Sequence, residues 1–130
     1  MSDADPPASG TGGMALLLVD DDPAFSQMLR WDLEELGYRL VVAHSCCEAR
    51  RACRVDRFPL AVLDLDLPDG DGMDLARELA QSDVDMKVVI CSGRHQRLAT
   101  MQPPDAILAI LTKPVSIERL KRLLSSHEEH

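Results

Sequence analysis

Four short apolar runs of this chain lead into polar residues of complementary chemistry. Ala15–Val19 runs into Asp20-Asp21-Asp22, Leu60–Leu63 into Asp64, Val88–Cys91 into Ser92-Gly93, and Ile107–Leu111 leads to Lys113-Pro114. Carboxylates held together repel one another, and the repulsion raises a pKa unless a cation is present. A hard divalent ion removes the conflict. Mg²⁺ takes a few carboxylate oxygens and keeps its other positions for water and phosphate oxygens. Asp21 and Asp64 therefore suit direct ligation, and Asp20 suits ligation directly or through water. Such an ion would also neutralise charge on an incoming phosphoryl group while leaving a carboxylate oxygen free for in-line attack. Asp64, the central acid, is the best nucleophile among them. Lys113 would then supply positive charge to the phosphoryl oxygens, with the Ser92 hydroxyl and the Gly93 amide as hydrogen-bond donors.

That chemistry requires the run ends to meet, which is a demand on the fold. Ala15–Val19, Leu40–Ala43, Leu60–Leu63, Val88–Cys91 and Ile107–Leu111 are too short for helices and read as buried strands. Helical periodicity fills the stretches between them. In the first helix Asp22 is the N-cap and Pro23 the first helical residue. Phe25, Met28, Leu29, Leu33 and Leu36 share one face, and Gly37 is the stop. Ser45-Cys46-Cys47-Glu48 has capping-box spacing and opens a second helix that stripes Cys46, Ala49 and Cys53 as small core residues. A third helix follows Gly72 and buries Leu75, Ala76 and Leu79; the last follows Ser116 and buries Ile117, Leu120 and Leu124. Arg94–Met101 has the poorest pattern and is ended by Pro103-Pro104, so a short or distorted fourth helix is expected there. Strands alternating with helices imply an α/β, doubly wound fold, with a five-stranded parallel sheet covered on both faces. Ligands bind such sheets outside the carboxyl ends of the strands, where strand order reverses. An order of two-one-three-four-five makes strands one, three, four and five neighbours and gathers the polar run ends into one pocket.

Composition narrows the partners. At 130 residues and 45% hydrophobic content the chain suits one domain with its own core. A net charge of −8 repels nucleic acid and anionic membranes, and 3% aromatic content is too little for base-stacking platforms. No apolar run approaches a membrane span, and residues 1–13 lack a signal-sequence pattern, so a cytoplasmic protein is expected. The four cysteines match neither a disulfide scaffold nor zinc knuckles and are expected to be reduced. Residues 1–13 read as a disordered tail, 14–126 as the domain and 127–130 as a second tail.

The segments Leu-Leu-Val-Asp-Asp-Asp-Pro at 17–23, Val-Leu-Asp-Leu-Asp-Leu-Pro-Asp-Gly-Asp-Gly at 62–72, Val-Val-Ile-Cys-Ser-Gly at 88–93 and Leu-Thr-Lys-Pro at 111–114 together resemble a bacterial two-component response-regulator receiver domain, from Met14 to Ser126. The resemblance implies a flavodoxin-like receiver fold and a phosphoacceptor that is not an enzyme. It implies that Asp64 takes its phosphoryl group from a sensor histidine kinase or histidine phosphotransferase, and that the backbone carbonyl of Asp66 joins the Mg²⁺ shell. By the same resemblance Ser92 and Lys113 sense the phosphoryl group and shift the fourth and fifth helices. A downstream protein target or output domain would read that shift, with the receiver a monomer or a weak phosphorylation-dependent dimer. The chain is then either a stand-alone receiver or part of a longer protein. One position departs from the pattern: Ile110 stands where receivers carry an aromatic switch residue three positions before the lysine.

Plainer roles compete for several of these residues. Asp22 reads as a helix cap rather than a ligand, and turn chemistry suffices for Asp69 and Asp71 beside their glycines. His44, His95, His127 and His130 show no ligand spacing and read as surface residues. Trp31 lies off the apolar stripe of the first helix, which places it toward solvent or a neighbouring helix edge, either in a docking surface for the phosphodonor or packed on the last helix. Two other functions are open. Asp64-Leu65-Asp66 resembles the nucleophile and acid pair of haloacid-dehalogenase-like phosphatases, although no further acidic pair follows Lys113. A pseudo-receiver would bind protein partners without phosphorylation, and Ile110 is the residue that speaks for it.

Overall fold

The computed structural model describes residues 13–83, 85–93 and 105–128, with side chains as far as 125. In chain order the elements are β1 (Ala15–Val19), α1 (Pro23–Glu35), β2 (Arg39–Ala43), α2 (Cys46–Val55), β3 (Leu60–Asp64), a hairpin of β4 (Asp66–Leu67) and β5 (Gly70–Asp71), α3 (Gly72–Ser82), β6 (Lys87–Ser92), β7 (Ile107–Thr112) and α4 (Ile117–Glu128). The large sheet is parallel throughout, in the order β2-β1-β3-β6-β7. With the hairpin strands set aside, this is the expected order two-one-three-four-five. The hairpin itself was not expected, because two residues per strand are too few to leave an alternating pattern.

Strands β1 and β3 are buried at every position, as continuous apolar runs in the middle of a covered parallel sheet should be. Their side chains alternate between two cores. Leu17, Val19, Leu63 and Ile90 meet Ala49 of α2 and Met73, Leu75 and Ala76 of α3 on one face. Leu16, Leu18, Val62 and Val89 meet Leu29 and Leu33 of α1 and Leu120 and Leu124 of α4 on the other. Helices on both faces make the sheet doubly wound. Truncating one of these leucines to alanine costs about 2–5 kcal/mol. The outer strand β7 is half-buried over most of its length, and its pairing with β6 slips by a bulge between Val88 and Val89.

Where the structure describes them the helix signals hold, except that Cys53 and Ile117, expected in the core, are half-buried, and Met28 needs correction. Asp22 caps α1 by accepting from the amides of Ala24 and Phe25, Pro23 opens it, and Gly37 lies just past its end. Ser45 caps α2 by accepting from Glu48 N. Met28, expected in the apolar stripe, is 44% exposed. The buried arc of α1 holds Ser26, Leu29 and Leu33 with Phe25 and Leu36 half-buried, and at 100° per residue Met28 falls outside it, beside Trp31. Trp31 is 68% exposed, as its position off the stripe requires. All four cysteines are free thiols. The weak helix at 94–101, with His95 and Pro103-Pro104, lies outside the described residues, as do 1–12 of the N-terminal segment and the end of the C-terminal one. Among the described residues no helix is long and apolar enough to cross a membrane.

Candidate functional site

The three successive aspartates after β1 go three ways. Asp20 continues the strand for one more step, its amide donating to Ala43 O at 3.0 Å, and its side chain is 1% exposed. Asp21 is exposed, and Asp22 is spent on the cap of α1. Across the sheet Asp64 is the last residue of β3, in register with Cys91 and 7% exposed. Strand order reverses between β1 and β3, so Asp20, Asp21 and Asp64 meet at the reversal. Their ligand oxygens all lie within 4.8 Å of one another. Lys113 reaches in from the end of β7, with Nζ 3.1 Å from Asp20 Oδ2 and 3.3 Å from Asp64 Oδ2. The Phe25 ring centroid lies 4.8 Å from the same ammonium.

One lysine does not balance three carboxylates. Burial is the main reason that the Asp64 carboxyl sits above its ordinary value; the Asp66 amide opposes that shift and Asp20 adds to it. Burial disfavours the Lys113 charge, but Asp20 and Asp64 outweigh it and hold the ammonium above its ordinary value. Oxygen donors of excess negative charge, two of them buried, fit a hard divalent cation in donor type and in spacing.

A loop holds Asp64 from the other side. Asp66 N donates to Asp64 Oδ1 at 3.2 Å, and the hairpin pairs Asp66 with Asp71 and Leu67 with Gly70. At its base Gly72 N donates to Leu65 O at 2.7 Å. A β-carbon on Gly72 would stand 2.1 Å from Asp64 O, so only glycine lets the start of α3 approach the acid this closely.

Residues 16–125 match the response regulator receiver domain family. The chain belongs to that family. As a receiver domain of two-component response regulators it is 34% identical over 107 residues to the transcriptional regulatory protein GlrR of Escherichia coli (strain K12), covering 81% of this chain and 24% of GlrR. The chain spans about half the length or less of the curated relatives it matches. The receiver domain of HemR from Leptospira biflexa superposes with a TM-score of 0.76 at 28% identity, covering 90% of this chain and 95% of that one. A CheY-like receiver domain protein from Methanospirillum hungatei JF-1 gives 0.79 at 25%, covering 89% and 94%.

Of the receiver's remaining expected residues, Ser92 and Gly93 stand at the end of β6 on the same rim. Ser92 ends β6 fully buried, and its carbonyl accepts from Lys113 N at 2.7 Å, which ties the ends of β6 and β7 together. Gly93 follows it, exposed and with open space where a β-carbon would be. Ile110 sits mid-strand in β7 opposite Ile90, half-buried against the core under α2 and α3. Three contacts went unread in the sequence. His44, expected at the surface and indeed exposed, has Nδ1 3.0 Å from the Asp20 carbonyl. Asp71 caps α3 by accepting from Met73 N and Asp74 N, a role its place before the helix could have signalled. Asp69 accepts from Cys46 N at 2.7 Å and Cys47 N at 3.0 Å, more than twenty residues back in the chain. No local pattern reveals a cap of that kind.

Proposed function

We propose that this receiver accepts a phosphoryl group on Asp64, with Asp20, Asp21, Asp64 and the backbone carbonyl of Asp66 holding Mg²⁺. One observation carries the reading: three carboxylates from two strand ends share one small space, and a single lysine bonds two of them. When bound, Mg²⁺ supplies positive charge that makes an anionic phosphoryl donor and a carboxylate nucleophile compatible. The chain's own residues do the rest. An Asp64 Oδ attacks phosphorus while the bond from phosphorus to the leaving atom breaks, and the electron pair leaves with the donor, which for a phosphohistidine is the imidazole nitrogen. Lys113 turns from Asp64 to the new phosphoryl oxygens, and the Ser92 hydroxyl and Gly93 amide donate to them.

The donor is a sensor histidine kinase or a histidine phosphotransferase, docked on α1, where Met28 and Trp31 stand exposed. The reader of the signal is a downstream protein target or an output domain, and the working compartment is the cytoplasm. The domain runs over residues 14–126. Ile110 favours a second reading, a protein-binding module that is never phosphorylated, because no aromatic ring is available at that position to move when the site fills.

One assay separates the two. The native chain is incubated with Mg²⁺ and acetyl phosphate or phosphoramidate, and its intact mass is measured beside Asp64→Asn. A single phosphoryl adduct on the native chain and none on the variant is expected. A native chain without adduct would leave the protein-binding reading in place.

A further inference from the structure

We propose that Asp69 is a positioning residue for the cation site, acting through the β4–β5 hairpin that carries Asp66. The inference rests on the reading of the Asp66 carbonyl as a metal ligand. The first amides of a helix have no partner within it. In α2 the third is taken by Ser45 Oγ, which accepts from Glu48 N at 3.1 Å, and Glu48 returns the bond by accepting from His44 N at 2.9 Å. Cys46 N and Cys47 N remain, and Asp69 takes both, one carboxylate oxygen for each. Asp69 is an exposed side chain at a hairpin tip, where water could satisfy it. The two amides nevertheless hold its carboxyl below the ordinary value, Cys46 N being the larger cause.

The tip needs this tie. A hairpin with two residues in each strand has little stability of its own. Its base is fixed: Gly72 N bonds Leu65 O, Asp71 caps α3, and Leu67 is buried in the core. Its tip is fixed by Asp69, and a β-carbon on Gly70 would lie 3.0 Å from Cys46 Sγ, so hairpin and helix already touch. Asp66 sits between base and tip. A backbone carbonyl cannot re-aim as a side chain can, so its direction follows the peptide plane that the hairpin sets. The Arg50–Glu78 pair, with contacts of 2.8 and 3.1 Å, binds α2 to α3 independently of the hairpin, which supplies a control that alters helix packing without touching the tip.

MgCl₂ is titrated into the 130-residue chain and followed by amide NMR shifts, for the native protein, Asp69→Ala, Asp69→Asn and Glu78→Gln. Asp69→Ala is expected to weaken Mg²⁺ binding roughly tenfold, as loss of a support behind a ligand does, with altered shifts concentrated in residues 66–71. Asp69→Asn, which keeps one acceptor oxygen, should fall between native and alanine. Glu78→Gln should lower the Tm and leave the Mg²⁺ affinity as it was. Native affinity in Asp69→Ala overturns the inference, and so does equal weakening in Glu78→Gln, which would make general loosening of α2 the cause. A native chain whose amides ignore Mg²⁺ defeats instead the reading of the site itself.

Discussion

Asp20, Asp21 and Asp64 bring their ligand oxygens within 4.8 Å of one another, whereas Asp22, Asp69 and Asp71, neighbours along the chain, each turn to amides that open a helix. The side chain is the same and the surroundings differ: Asp20 and Asp64 also accept one amide each, but they are buried together around Lys113. At the rim, burial drives the Asp64 carboxyl up; at the start of α2, two amides drive the Asp69 carboxyl down. A carboxylate that lowers the energy of the fold is bonded to amides that have no partner within their own helix. Asp64, whose charge is disfavoured by burial, is kept close to others of its kind, an arrangement suited to the arrival of a cation or a phosphoryl group. The difference separates acids that build the receiver from acids that, in the function proposed above, operate it.

The hardest blow to the comparison falls where the two regions touch, at Gly72. Gly72→Ala puts a β-carbon into the Asp64 carbonyl and should destabilise the chain by about 3 kcal/mol, as overpacking against immovable backbone does. Urea unfolding measures it. A loss under about 1 kcal/mol would mean that the hairpin and the acid are not held together in solution. Next in size is the contrast between a capping acid and a rim acid, both measured without Mg²⁺. Asp71→Ala should cost about 1 kcal/mol for the lost cap of α3. Asp64→Asn should raise the Tm, because it removes a buried charge from beside Asp20. If both variants lower the Tm alike, the two sets of acids are not distinct.

Most of this division can be read before any coordinates. The run Asp20-Asp21-Asp22 separates into rim and cap because Pro23 fixes where α1 starts, and the capping position follows from that. Asp64 and Lys113 are identifiable because each follows an apolar run, and parallel order carries such ends to one edge. Legibility stops where a contact joins segments through space without a periodic signature. Asp69 looks like any turn aspartate, since its partners Cys46 and Cys47 belong to another helix. His44 looks like a surface histidine, although its ring meets the Asp20 carbonyl at 3.0 Å. Met28 departs from the stripe for a different reason: the face of α1 that meets the sheet is narrower than its apolar residues suggest, and a flexible thioether tolerates the edge.

The two sets should also part company as pH changes, by a smaller amount. Asp69 has a carboxyl lowered from the ordinary 3.8, so the stability it adds is present above that value and is lost as pH falls through the lowered one. The deficit of Asp69→Asn should therefore be seen at neutral pH and close in acid. Asp64, raised from 3.8, contributes fully below that value and loses the contribution as pH rises through the raised one. The advantage of Asp64→Asn should accordingly open as pH rises and vanish in acid. Urea midpoints of the three proteins between about pH 2.5 and 7 test the signs. Two curves that diverge from the native one in the same direction would refute the opposition.

The smallest effect reads the Asp69 junction through its neighbouring thiols. Thiolate is the reactive form, and burial raises a thiol's pKa. Cys46, adjoining Cys47 at the start of α2, is buried and pushed up to about 11, by burial first and by Asp69 second. Cys91 is pushed up to about 12 by burial in the sheet, while Cys47 is exposed. With iodoacetamide at about pH 8, mass spectrometry should find Cys47 labelled first, Cys46 and Cys91 lagging far behind. In Asp69→Ala, Cys46 should react faster than in the native chain, because the negative charge beside it is gone and the hairpin tip is released. It should still trail Cys47, because burial, the larger cause, remains. Equal labelling of Cys46 and Cys47 in the native chain would mean that the hairpin leaves α2 often enough to expose the buried thiol, and a clamp that opens so readily could not aim the Asp66 carbonyl.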